Sequence, residues 1–133
     1  HKERRLQFLE RIVRQGIGSG EVFYRTYQKP LPYFLPLLDA VAAAIASKSG
    51  KRSEVRVYVD GIDRKKAREL TNGLRIQGVA LGLVKGKRDE SEPLIRLADR
   101  WAGCIRLARS TQGKARQLVA RAKRKGYLQE LTN

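Results

Sequence analysis

The chain has 133 residues, 41% of them hydrophobic, which suits one globular domain able to bury a sizeable core. Its 29 Lys and Arg against 13 Asp and Glu give a net charge of +16, a field that attracts polyanions, nucleic acid being the commonest. A single cysteine, Cys104, excludes an internal disulfide and a cysteine-rich zinc cluster, and the only histidine, His1, is terminal, which argues against a Ser-His-Asp or Cys-His centre.

In chain order, Leu6, Leu9, Ile12 and Val13 recur at helical spacing with Arg4, Arg11 and Arg14 elsewhere on the turn, so the chain opens on an amphipathic helix. Its first residues, His1-Lys2-Glu3-Arg4-Arg5, lack the charged-then-apolar pattern of a secretory leader. Gly16-Ile17-Gly18-Ser19-Gly20 ends the helix. A glycine-rich loop cradles phosphate when it joins a strand to a helix, and this one follows a helix, so it is expected to be a flexible connector. Alternation of aromatic and polar residues over 21–28 predicts a strand.

Pro30, Pro32 and Pro36 lead into a helix over about 35–47 that is apolar nearly all round and should be the most buried of all. The apolar run 33–46 is broken by Pro36 and Asp39 and is too short to span a bilayer. With the lone thiol, these features lead to the expectation of a reducing, cytoplasmic compartment.

Residues 54–61 form the clearest strand: Val55, Val57 and Val59 on one face, Arg56, Tyr58 and Asp60 on the other. Asp63 is placed to cap the next helix, which carries Ala67, Leu70 and Leu74 and is closed by Gly78. A near-continuous apolar strand follows over 79–84, then a charged loop over 85–92. Pro93 starts a helix to about Arg109, with Leu94, Leu97, Ala98, Trp101, Ile105 and Ala108 as its expected buried side.

A basic ending over 111–131 contains a last helix, about 114–125, with Ala115, Leu118, Val119 and Ala122 facing in. The order α-β-α-β-α-β-α-α predicts a single α/β layered domain over 1–133, with one central sheet. Three strands are few for this many helices, which leads to the expectation of further strands before His1.

Charge is unevenly placed. Between Arg100 and Gln129 stand Arg100, Arg106, Arg109, Lys114, Arg116, Arg121, Lys123, Arg124 and Lys125, and no acid. These are the expected phosphate contacts; a solubilising face or a dock for an acidic protein are the alternatives. Among the acids, Asp60 ends a strand, where ligands gather in open α/β sheets, although Asp60-Gly61 also reads as a plain turn. Asp99 flanks an apolar helical stripe, four residues before a mid-helix glycine, Gly103, that suggests close approach of another group. Asp89 and Glu90 precede the same helix, where acids suit the amino-terminal dipole. Gathered at one sheet edge, such carboxylates would need a hard cation, Mg²⁺ or Mn²⁺, between them.

At Val57-Tyr58-Val59-Asp60-Gly61, and again from Pro93 to Gly103 with its Ala98-Asp99-Arg100-Trp101-Ala102-Gly103 stretch, the chain resembles the domain of unknown function 3800 family. The resemblance extends over 54–109 and on to Gly126-Tyr127-Leu128. It implies a ribonuclease-H-like layered domain, with a central mixed sheet flanked by helices. It also implies that Asp60 and Asp99 are metal ligands, with Asp89 or Glu90 assisting. Family members open with a strand carrying Asp-Glu-Ser-Gly, and nothing before Leu6 matches it, so this chain looks like the family truncated at its first acidic strand.

Two functions are therefore expected. One is a metal-dependent nuclease, catalytic through Asp60, Asp99 and Glu90, with Asp60, Asp99 and Asp89 on the metal and the missing carboxylate supplied by another segment or partner. The other is a non-catalytic basic subunit that binds nucleic acid.

Overall fold

A computed structural model describes residues 2–27, 34–47, 55–79, 81–87 (as backbone), 93–111 and 113–131. The protein is mixed α/β and mostly helical. The described elements are α1 (Lys2–Gln15), β1 (Val22–Tyr24), α2 (Phe34–Ser47), β2 (Val55–Asp60), α3 (Arg64–Ile76), β3 (Leu81–Lys87), α4 (Pro93–Ser110), α5 (Lys114–Arg124) and β4 (Leu128–Glu130). They fall into two compact units, 1–25 with 96–133, and 26–95.

The first unit is built on three amphipathic helices. Leu6, Leu9, Ile12 and Val13 of α1 meet Trp101, Cys104, Ile105 and Ala108 of α4 and Ala115, Leu118 and Ala122 of α5 in one buried cluster. Each set repeats at three and four residues, so each helix turns one stripe inward. The stripe of α4 is rotated from the expected one. Leu94 and Ala98 are exposed, while Cys104 is buried, as its place beside Ile105 and Ala108 on an apolar helix predicts.

Two of these helices end alike. Gly16 and Gly126 have positive φ, and the following residue returns a hydrogen bond to the turn before: Ile17 N to Ile12 O at 3.2 Å, Tyr127 N to Ala122 O at 2.9 Å. This is the Schellman arrangement, which satisfies carbonyls at the helix end. After α5 the turn delivers Tyr127 and Leu128 into the core, 1% and 2% exposed. The chain then forms β4, parallel to β1, with Val22 opposite Leu128 and Tyr24 opposite Glu130.

A basic helix filling the whole ending over 111–131 is thus not found: the helix is Lys114–Arg124, as the apolar spacing over 114–125 predicts, and a strand follows. Leu-Gln-Glu has no periodicity of its own, and its strand state comes from pairing with β1. Gly16–Gly20 is not a slack connector either. Glu21 N donates to Gly18 O, and Gly20 N donates to Tyr127 O, closing a series of turns onto the core.

The second unit is a β2-α3-β3 crossover with α2 on α3. Strands β2 and β3 pair in parallel, from Val55 opposite Leu81 to Asp60 opposite Lys87. Pairing with β2 carries β3 to Lys87, past the Val84 end and into the loop that its charges suggested; residues 88–92 lie outside the described residues. Asp63 caps α3 by accepting from Lys66 N at 2.7 Å. Gly78, with φ +85, closes the helix, as expected. Val57, Val59, Leu70 and Leu74 are buried, with Phe34, Leu37, Leu38, Val41 and Ile45 of α2 packed against them.

Two expectations are corrected here. The single central sheet is, among the described residues, two separate two-stranded parallel sheets. Helix α2 is not the most buried; it holds no fully buried residue, and Leu35 is 51% exposed. An all-round apolar helix can bury only as much surface as its neighbours cover, and α3 covers one face.

The mid-helix glycine that permits close approach is Gly73, not Gly103. A Cβ on Gly73 would sit 3.0 Å from both δ-methyls of Leu38, whereas one on Gly103 would meet only Arg106 Nη2, at 3.8 Å. Chemical denaturation should therefore find Gly73→Leu destabilising by about 1–3 kcal/mol through overpacking. Gly103→Ala should be neutral or stabilising by up to about 1 kcal/mol, since only helix propensity changes.

Trp101 and Tyr127 pack with ring centroids 5.7 Å apart, and neither Trp101 Nε1 nor the Tyr127 hydroxyl has a hydrogen-bond partner among the described residues. An unsatisfied buried hydroxyl costs stability that its removal returns. Tyr127→Phe should match or exceed the parent in urea midpoint, while Tyr127→Ala should lose about 3–5 kcal/mol.

Candidate nucleic-acid interface

Charge divides between the units unequally. The first holds 16 Lys and Arg against five Asp and Glu, the second 13 against eight. All nine cations singled out between Arg100 and Lys125 belong to the first unit, eight on α4 and α5 and Lys125 capping the end of α5.

Their roles differ. Arg116 Nε donates to Ala108 O at 2.9 Å, meeting a carbonyl in the last turn of α4, where intrahelical donors run out. Lys123 Nζ donates to Glu130 Oε1 at 3.1 Å, and the Tyr24 hydroxyl donates to the same oxygen at 3.2 Å. Lys123 also lies 5.8 Å over the Tyr24 ring. This small network joins α5 to the β1–β4 pair. It raises the Lys123 pKa, chiefly through the bond to Glu130, and burial raises that of Tyr24. Lys114 stands 3.7 Å from Glu3 with both side chains open to solvent, a pairing of little energetic weight. Arg109, Arg121, Arg124 and Lys125 are exposed and have no carboxylate partner among the described residues. Three of these cluster at the end of α5, where cations also favour the helix dipole.

A groove of about 370 Å³ opens within the first unit between α1 and α4. Leu6, Leu9, Cys104 and Leu107 line it with apolar surface; Arg5, Asp99, Arg100, Arg106 and Ser110 add polar groups. Asp99, Gly103, Arg106 and Ser110 recur at helical spacing, so one face of α4 forms the wall, and Gly103 leaves that wall bare. Arg100 is steadied by Phe8, its guanidinium carbon 5.3 Å from the ring centroid. The sequence singled out Asp99 and Gly103 for other reasons. It gave no sign of Arg5 or of the leucines, because no pattern within one helix reveals which residues a second helix brings opposite.

The expected carboxylates do not share one described unit. Asp60 is exposed at the carboxyl end of β2, followed by Gly61 with φ +69, and belongs to the second unit; Asp99 is exposed on α4 in the first. Asp89 and Glu90 lie outside the described residues. A hard cation needs several oxygen donors. Among the described residues no group of three or more His, Cys, Asp or Glu could hold a metal. The expected Mg²⁺ or Mn²⁺ therefore finds no donor set among the described residues.

Compared with protein-family models, with curated proteins and with solved structures, the chain matches none of them. No helix of the described residues is long and apolar enough to cross a membrane.

Cys104 borders the groove but is almost wholly buried. It is 4% exposed, with Sγ 4.0 Å from Ala115 O, and burial pushes the thiol from 9.0 up to about 11. A folded-state pKa above the unfolded one stabilises the fold fully below pH 9.0 and is lost as pH rises towards 11. The urea midpoint of the parent should fall over that interval more steeply than that of Cys104→Ala. In the native protein a disulfide reagent should label the thiol slowly until denaturant is added.

Proposed function

We propose that this protein binds nucleic acid, holding the phosphate backbone on the basic surface of the unit formed by 1–25 and 96–133. The observation that carries the proposal is the exposed, acid-free run of cations on α4 and α5. Each cation that meets a phosphate releases condensed counterions, and that release supplies most of the affinity of such surfaces. Arg109, Arg121, Arg124 and Lys125 are the cations with their charge uncommitted to a described carboxylate. Arg116 and Lys123 hold the fold, and Arg100 and Lys114 stand between the two roles.

Kinship to ribonuclease-H-like domains belongs to the same proposal. It is supported by the resemblance at 57–61 and 93–103 and by the parallel β2-α3-β3 crossover, with Asp60 at the strand end where such folds keep an acid.

Fluorescence anisotropy with labelled single-stranded and duplex oligonucleotides tests the reading. Affinity should fall about 10³–10⁵-fold between 50 and 200 mM salt if six to ten phosphates are met. The triple variant Arg121→Gln, Arg124→Gln, Lys125→Gln should weaken binding to all sequences alike and lower the duplex salt slope by about 2–3. A flat salt response would turn the basic face into a dock for an acidic protein. Mg²⁺-dependent cleavage that Asp60→Asn or Asp99→Asn abolishes would restore the nuclease.

A further inference from the structure

The groove between α1 and α4 has a composition that a plain phosphate contact does not require. A phosphodiester oxygen asks for cations and N–H donors, not for apolar surface, and it is repelled by a carboxylate. Here half-buried Leu107 and the edge of Leu6 give the apolar part, with fully buried Leu9 beneath them; Arg5 and Arg106 bring charge from both helices, and Asp99 stands among them. The occupant that suits all three features has a flat apolar body, an anionic group and N–H donors. A nucleotide has them: its base face covers apolar surface, its phosphate meets arginine, and its base edge offers N–H groups to a carboxylate.

The volume agrees. About 370 Å³ is at the small end of ligand pockets, enough for one nucleotide and too little for a duplex. The open wall at Gly103 gives the same indication. A glycine in the middle of α4 costs helix stability, yet nothing packs against it closely enough to require one, since a Cβ there would find only Arg106 Nη2 at 3.8 Å. What the missing side chain provides is space in the groove. Arg100 adds a guanidinium held over the Phe8 ring, so part of its ordering is in place before binding.

Resting on the reading of this unit as a nucleic-acid binder, we infer that the groove takes a single unpaired nucleotide of the bound strand, with Asp99 selecting bases that present an amino group. Guanine fits best, because its adjacent imino and amino N–H groups can meet both carboxylate oxygens. Uracil presents one imino N–H and no amino group. The protein is thereby a single-strand binder with one selective position rather than a uniform polyanion sponge.

The test uses the full chain, ¹⁵N-labelled, titrated with guanosine monophosphate, uridine monophosphate and inorganic phosphate. Guanosine monophosphate should shift the amides of Leu6, Leu9, Gly103 and Leu107 and bind at least about fivefold more tightly than uridine monophosphate, the lower end of what a bidentate base contact contributes. Gly103→Gln has room to fold and should block the groove, removing these shifts. Asp99→Asn should bring the two nucleotides to within about twofold of each other while leaving uridine monophosphate bound.

Equal affinity for the two nucleotides overturns the inference. So does phosphate binding as tightly as either, or guanosine monophosphate binding unchanged in Gly103→Gln. Oligonucleotide anisotropy on the same samples separates the two levels. If oligonucleotides bind but the groove does not respond, only the groove assignment fails. If oligonucleotides do not bind at all, the function proposed for the unit fails as well.

Discussion

Tyr127 is held by several elements of the first unit at once. Its N–H bonds to Ala122 O, closing α5; its carbonyl accepts from Gly20 N, anchoring the loop after α1; its ring lies against Trp101 of α4. The next residue enters β4 and pairs with β1. Gly126, with φ +73, allows this by reversing the chain in one residue after α5. Were Tyr127 displaced, the loop over 16–20, the β1–β4 pair and the end of α5 would each lose a partner. The hydroxyl is where the packing is imperfect: it meets no hydrogen-bond partner of good geometry among the described residues, and burial raises its pKa, the polar Trp101 indole beside it offsetting only part of that rise.

The surface chemistry depends on that core. Because α1, α4 and α5 each give one narrow stripe to it, the remaining circumference of all three helices faces solvent and can carry arginine and lysine at no cost in buried charge. Lys123 and Arg116 show how a basic face coexists with a stable fold. Each is tied to an acceptor inside the unit, one on Glu130 and one on Ala108 O, so that part of the positive charge serves cohesion. The rest creates a potential with no internal use, and its natural complement is a polyanion.

Two glycines in the middle of helices illustrate how one residue type serves opposite ends. Gly73 lets α2 lie close on α3: a Cβ there would stand 3.0 Å from the Leu38 methyls, which would have to give way by a few tenths of an ångström. Gly103 has no such neighbour and leaves the α4 wall of the groove open. Both read the same in the linear sequence, as a helix-weakening residue within an apolar pattern. Only what stands opposite distinguishes them.

Much of the local structure was legible in the residues alone. Helical spacing from Leu6 to Val13, the valine alternation of β2, the Asp63 cap and the glycine after α3 follow from short-range sterics and hydrogen bonding that need no distant partner. So did the burial of Cys104 and the inward face of α5. What depended on long-range pairing was not readable. The strand state of 128–130, the split into two parallel pairs, the rotation of the α4 stripe and the part-exposed α2 are decided by which surfaces meet, and a periodic pattern states only that a face is apolar, not what covers it. The same holds for function. The sign of the charge and the pairing of Asp99 with Gly103 were evident from the residues, but Arg5, Leu6 and Leu9 join them only because the chain folds α1 and α4, some ninety residues apart, side by side.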